Sequence, residues 1–324
     1  MSFGIIFSQI LVMFLMVIVG YIMGRRGTLS ERISHDISVI LLEVATPALI
    51  INSMIREFDL DLIKDAMLCF AIGMVYFLGM IAINLGLSRL LRVNRSHRGL
   101  WIVAASFTNP GFMGFPLALA IFGNDGLFMA AFINMAFNIL IYTIGERMVI
   151  ADVGSGREKP PLIRTLLSPI NISTLIGLVI FFGQIPLAGA LEHAPAWLVS
   201  GWTVVTTVIK NLGNLVTPLA MFLVGLAISR SSLRRTVTDR DAMTAVIVDM
   251  IAGPLLLIGV LKLLPFREGS MVVPVSVLIM LMSVASAVQM LADRYDSDSE
   301  FAGHAIFLSN VLCLISVPLL MMLV

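Results

Sequence analysis

The sequence predicts an all-α polytopic membrane protein: ten transmembrane helices in two five-helix halves of opposite orientation. Three observations carry this prediction. First, 59% of the 324 residues are hydrophobic and 13% charged, and the mean hydropathy is +1.01. Soluble domains run near 45–50% apolar and about 25% charged. Second, apolar runs of about 20 residues, enough to cross a hydrocarbon core, recur along the whole chain. Third, the two halves repeat a Thr-Pro pair and the positions of their helix-breaking or polar segments. The net charge of +1 gives no reason to expect nucleic acid or an acidic surface as partner.

The spans are expected at about 5–24, 36–55, 63–88, 99–122, 127–150, 171–190, 202–228, 242–263, 271–292 and 302–324. The start, MSFGIIFSQI, lacks the basic residues of a signal peptide, so the first run is expected to remain a membrane helix. With the N-terminus outside, the outer loops hold only Arg56, Lys64, Lys210, Lys262 and Arg267 of the 21 basic residues. The others fall inside, in groups such as Arg89, Arg92, Arg95 and Arg98. This bias supports ten spans with both ends outside, which for an inner membrane means periplasmic termini. Cys69 and Cys313 lie in apolar runs and read as packing residues.

The longest loop, ADVGSGREKPPLIR (151–164), divides the chain. Residues 1–150 form the first repeat, 151–170 an inner linker, and 171–324 the second repeat. LEVATPALI (42–50) places Thr46-Pro47 in span two, and GNLVTPLAM (213–221) places Thr217-Pro218 in span seven, 171 positions later (47 to 218). The same offset carries Pro110 of span four to Leu281 of span nine, beside MSVASAVQ (282–289). IFGNDG (121–126) closes span four as DRYDSDSE (293–300) closes span nine. An odd number of spans per half inverts one half against the other. Inverted repeats with interrupted helices are the mark of secondary transporters, whose sites lie near the midplane.

The sharpest local feature is FTNPGFMGFP (107–116). Pro110 and Pro116 each remove a backbone donor and clash with the preceding turn, and Asn109 and Phe115 before them are pushed from helical angles. Gly111 and Gly114 allow close backbone approach. Irregular backbone at membrane depth survives only inside protein or along a wet cavity. There it presents a helix N-terminus with free N–H groups, which suits a carboxylate. No Lys or Arg falls mid-membrane, so neutral donors near Thr108 and Asn109 would have to bind an anion. The alternative is a proline kink in which Asn109 caps its own half-helix.

Two carboxylates fall inside apolar spans, Glu43 and Asp249. Such acids are costly in lipid and are functional candidates. Either could carry a proton, or help hold a sodium ion, to couple transport. The alternative is a protonated acid bonded to a neighbouring helix. Glu146, nearer the inner interface beside Arg147, is expected in a plain ion pair. Asn134 and Asn138 share one face of span five and are candidates for facing substrate or for bonding helices together.

The chain resembles a bacterial member of the auxin efflux carrier family. The likeness rests on TPALI (46–50), NPGFMGFPLALAIFG (109–123), TPLAMFLVG (217–225) and LADRYD (291–296). It implies a scaffold of spans one, two, six and seven, and a transport unit of spans three to five and eight to ten. Spans four and nine would cross as discontinuous helices. It further implies a small organic anion as substrate, auxin-like or malonate- or malate-like, with Asn109 and Pro110 in its site. Membrane lipid and a second copy bound through the scaffold are the other implied partners. Span nine departs from the family pattern: it reads SVASAV, with Ser283, Ser286 and Gln289 as its polar groups.

No HExxH, GxSxG or phosphate-binding glycine loop is present, so an enzyme is not expected. Glu43 and Asp249 sit in no protease motif, and the four histidines show no metal-ligand spacing. No cofactor is expected beyond a coupling proton or sodium ion. A sensor or channel on the same fold remains the rival class.

Overall fold

In this computed structural model, residues 3–27, 29, 32–55, 59–153, 169–192, 195–230, 233–267 and 269–324 are described; most of the expected linker, 151–170, lies outside them. The described chain is helical, with no strand beyond one isolated bridge. In order come α1 (Phe3–Arg25), α2 (Ile33–Ile40), α3 (Thr46–Met54), α4 (Leu60–Leu90), α5 (Arg98–Ala104), α6 (Phe115–Leu140) and α7 (Glu146–Val153). The second half holds α8 (Pro169–Glu192), α9 (Ala196–Gly213), α10 (Val216–Arg230), α11 (Leu233–Thr238), α12 (Arg240–Ile247), α13 (Gly253–Lys262), α14 (Val272–Met280), α15 (Ala287–Tyr295) and α16 (Ser299–Met321).

Among the described residues, six helical stretches are long and apolar enough to cross a membrane. The sequence predicted ten spans. Expected spans four and nine are interrupted, so neither supplies one continuous helix. Helices α1 and α8, 23 and 24 residues long, cover the expected first and sixth spans. The stretch Pro110–Val153 has 44 residues and would be about 66 Å long if straight, about twice the hydrocarbon core. It reverses instead at Gly123, whose φ of 68° only glycine adopts at low cost. The reversal returns Asp152 to the foot of α5, where its carboxylate accepts from the Gly99 and Leu100 amides.

Prolines set several irregular turns. Wide π turns at Leu41–Ala45, Pro110–Gly114 and Val248–Ala252 each end two residues before a proline: Pro47, Pro116 and Pro254. A proline ring clashes with the carbonyl four residues back. The residue before each proline bonds five residues back instead: Thr46 to Leu41, Phe115 to Pro110, Gly253 to Val248. The widened turn makes room for the ring. Pro218 follows the interruption between α9 and α10 at Asn214 and Leu215, 171 positions after the turn ahead of Pro47. A fourth wide turn, Ile141–Gly145, precedes no proline.

Helix starts follow ordinary capping chemistry. Asp59 caps α4, Asp239 caps α12 and Asp298 caps α16 through carboxylate oxygens on backbone amides. The caps of α12 and α16 each spend their second oxygen on a histidine from another segment. Asp239 meets His304 Nδ1 at 2.8 Å, and Asp298 meets His97 Nδ1 at 2.8 Å. His97 Nε2 faces Asp241 at 3.0 Å, and its ring stacks on Phe301. Three helix feet are thereby joined through histidines whose sequence positions looked scattered.

Packing between helices uses close approach where small residues allow it. A Cβ on Gly20 of α1 would lie 2.2 Å from Phe222 O of α10, and one on Gly225 would lie 1.9 Å from Val17 O. In lipid no hydrophobic drive separates helix from solvent, so such intimate backbone contact holds helices together. Large apolar side chains on α1, α4 and α9 point outward, including Leu15, Val75 and Val204, as a lipid-facing surface requires. The residues around the two interruptions are buried. Phe107 stacks on Phe77 of α4 and meets Phe137 of α6 edge-on.

Candidate functional site

The two interruptions, at 105–109 between α5 and the π turn and at 281–286 between α14 and α15, meet each other. Thr108 and Val284 form an antiparallel bridge. The Ala285 amide donates to Phe107 O at 2.9 Å, and Thr108 Oγ1 donates to Ile279 O at 3.1 Å. Ser283 Oγ contacts Met113 Sδ at 3.1 Å. Each irregular segment thus satisfies part of the other's backbone, which at membrane depth removes a cost of several kcal/mol for each unpaired group.

Neighbouring helices supply the remaining bonds. Asn84 of α4 donates through Nδ2 to Ala105 O (2.8 Å) and Ser106 Oγ (2.9 Å). Ser309 of α16 accepts from the Val284 amide at 3.0 Å. Cys313 Sγ lies 3.8 Å from Leu281 O. Both cysteines are free and buried. The packing role read for Cys313 therefore includes a weak bond to the second interruption. Asn84 and Ser309 were passed over in the sequence, although a lone Asn or Ser in an apolar run is the signal that marks such a bond.

The predicted residues divide by position. Asn109 is 8% exposed and accepts from the Phe112 amide through Oδ1, capping its own half-helix. Its Nδ2 has no hydrogen-bond partner among the described residues and is available as a donor. Pro110 opens the π turn, Gly111 faces open space, and a Cβ on Gly114 would lie 2.8 Å from Ile279 Cδ1. Thr108 and Ser283 lie within the junction of the two segments. Ser286 is half-buried at the start of α15 and makes no side-chain cap. Gln289 bonds Asp293 one turn further on, near the helix feet. Asn138 donates to Asn171 of α8 at 3.1 Å, a bond between helices. Asn134 is buried with its Nδ2 unpaired.

The two intramembrane acids differ. Both lie in π turns, but Glu43 is exposed and Asp249 is 0% exposed. Neither carboxylate oxygen of Asp249 has a hydrogen-bond partner among the described residues. The Tyr76 hydroxyl, also buried and unpaired, lies within electrostatic reach of it. Glu146 is buried and pairs with Arg294 at 3.5 Å and with the Tyr295 hydroxyl. The expected ion pair is therefore made across helices, with Arg294.

A cavity of about 20 Å³ borders the first interruption. Met13 and Val17 of α1, Met113 and Leu117 after the break, Met221 of α10 and Val317 of α16 are among its walls. It barely admits a water molecule.

An all-helical chain with several apolar spans, and two interrupted segments bonded to each other, is the architecture of a multi-pass membrane transporter. The comparisons with known proteins agree. The family described as "Membrane transport protein" matches residues 5–159 and 158–321, and the chain belongs to that family, the auxin efflux carriers. It is 27% identical over 314 residues to an uncharacterized transporter of Methanothermobacter thermautotrophicus, covering 96% of each chain. It is 24% identical to an uncharacterized transporter of Methanocaldococcus jannaschii, again over 96% of each.

Proposed function

We propose that the protein is a secondary carrier of a small organic anion, a mono- or dicarboxylate, working by alternating access in the cytoplasmic membrane. The observation that carries this reading is the junction of the two interruptions. Thr108 bonds to Ile279, its counterpart at the 171-residue offset. In an inverted repeat, equivalent residues touch only near the axis that relates the halves. The junction therefore sits where an inverted ten-span repeat would place its substrate site. Asn109, Thr108 and the free amides of the first π turn supply neutral donors at a helix N-terminus, suited to a carboxylate. Repeats of 1–150 and 171–324, joined by the linker 151–170, supply spans three to five and eight to ten as the moving unit. Spans one, two, six and seven form the scaffold and the surface for a second copy. Closure of the small cavity between α1, α10, α6 and α16 represents an occluded arrangement.

Asp249 is the coupling group in this reading. A buried carboxyl with no protein partner can take up and release a proton, or ligate sodium, as the unit moves. The Asp249→Asn variant is expected to lose the pH or sodium dependence of transport. A dependence identical to the wild type would remove Asp249 from coupling.

The test starts with thermal-shift screening of purified protein against mono- and dicarboxylates. The stabilising anion is then radiolabelled for counterflow in proteoliposomes. Transient accumulation of label against its gradient is expected of a carrier. Simple dissipation identifies a channel, and binding without flux identifies a sensor; either outcome overturns the reading.

A further inference from the structure

The stretch RLLRVNRSHR (89–98) places an arginine at every third position, and the fold gathers them. Helix α4 ends in a left-handed turn: the Val93 amide bonds to Ser88 O at 3.0 Å and the Arg92 amide to Arg89 O at 3.1 Å. Arg92 holds φ at 55°, in the position that usually belongs to glycine. Asn94 then turns the chain, its side chain accepting from the Ser96 amide, into the single 3-10 turn Arg95–His97 that leads to α5. The result is a surface cavity of about 580 Å³ lined by Arg89, Arg92, Val93, Arg95 and Arg98.

The bonds made by these arginines leave most of the charge unspent. Arg98 donates through Nη2 to Val93 O, but its Nε is buried without a partner. Asp152 lies within electrostatic reach of Arg98, but its two oxygens are taken by the Gly99 and Leu100 amides. Among the described residues no carboxylate forms an ion pair with Arg89, Arg92, Arg95 or Arg98. Arg240 adds a further cation, bonded to Leu91 O. Several guanidinium groups around one hollow repel each other, and an anion relieves that repulsion. Planar forks match phosphate oxygens in pairs. Directly beside the hollow, Leu90 is 78% exposed, and Ile83 and Leu85 of α4 also face outward. The basic hollow therefore meets apolar surface, as a molecule with a charged head and an acyl tail requires.

We propose that Arg89, Arg92, Arg95 and Arg98 form a phosphate site, filled by the headgroup of an anionic membrane lipid. It stands apart from the junction of the interruptions and does not depend on the substrate assigned there. The test uses the full chain in neutral detergent, with thermal unfolding as readout. Phosphatidylglycerol is expected to raise the melting temperature of the wild type, and phosphatidylcholine to leave it unchanged. Arg92→Gln with Arg95→Gln should lose at least half of that rise. Arg92→Gly is the folding control: it removes one charge but suits the left-handed turn, so it should unfold no earlier than wild type while responding less to lipid. Inorganic phosphate is titrated in parallel. Stabilisation by lipid alone supports a headgroup site. Equal, variant-sensitive stabilisation by inorganic phosphate overturns the lipid as occupant. A lipid response unchanged in both variants overturns the site itself, because the arginines would then act only through bulk charge.

Discussion

The segments 105–114 and 281–286 both interrupt a helix and meet in space, but they are broken by different means. The first carries Asn109, Pro110, Gly111 and Gly114, with Pro116 two residues beyond it. Its irregularity is covalent: Pro110 and Pro116 lack an N–H, and Asn109 competes for the Phe112 amide. The second reads LMSVAS and contains no proline or glycine. It is held open from outside. Ser309 takes the Val284 amide, Phe107 O takes the Ala285 amide, and Thr108 and Cys313 donate to Ile279 O and Leu281 O. One segment carries its break with it, whereas the other acquires its break by docking. The first therefore suits preorganised binding, and the second suits a part whose geometry follows its neighbours.

The largest effect that would sharpen this contrast is expected at Asn109. Asn109→Asp retains an oxygen for the Phe112 amide but replaces the amide donor with a group that repels an anion. Transport in proteoliposomes should be abolished while the yield of folded protein is kept. Near-normal uptake would take Asn109 out of the site and leave it as a cap alone.

A smaller loss, in stability, is expected at Ser309. Ser309→Ala strands the Val284 amide where no water reaches it, at about 1–3 kcal/mol. Thermal unfolding in detergent should shift downward accordingly. If Ser309→Ala melts like the wild type, the second segment does not depend on docking in the way described.

The smallest effect is expected for Thr108→Val. Ile279 O keeps a second donor, the Met282 amide, so the loss should be near the ~0.6 kcal/mol average for side-chain bonds within membranes. Thr108→Ser should restore the wild-type melting temperature. A drop larger than that of Ser309→Ala would reverse the ranking and make the junction the main support of both segments.

Much of the fold was legible because membranes enforce simple rules. Apolar runs located the helical stretches. Pro47, Pro110, Pro116 and Pro218 marked turns that are irregular, since a missing N–H acts locally wherever the chain goes. Asp249 stood out as an acid in an apolar run, and it is fully buried. Glu43 gave the same signal and is exposed, because which face of a helix packs inward depends on its neighbours.

What the sequence by itself determined is the membrane class, the position of the first break and the donors around Asn109. These follow from covalent properties of single residues and from the cost of bare backbone in lipid. Only the tertiary structure decided how fully 281–286 is broken and what holds it open, that Asn84 and Ser309 secure the two segments, and that four arginines spaced along 89–98 share one hollow. Each of these depends on groups brought together from distant or differently turned parts of the chain. Spacing in one dimension does not record which faces will meet.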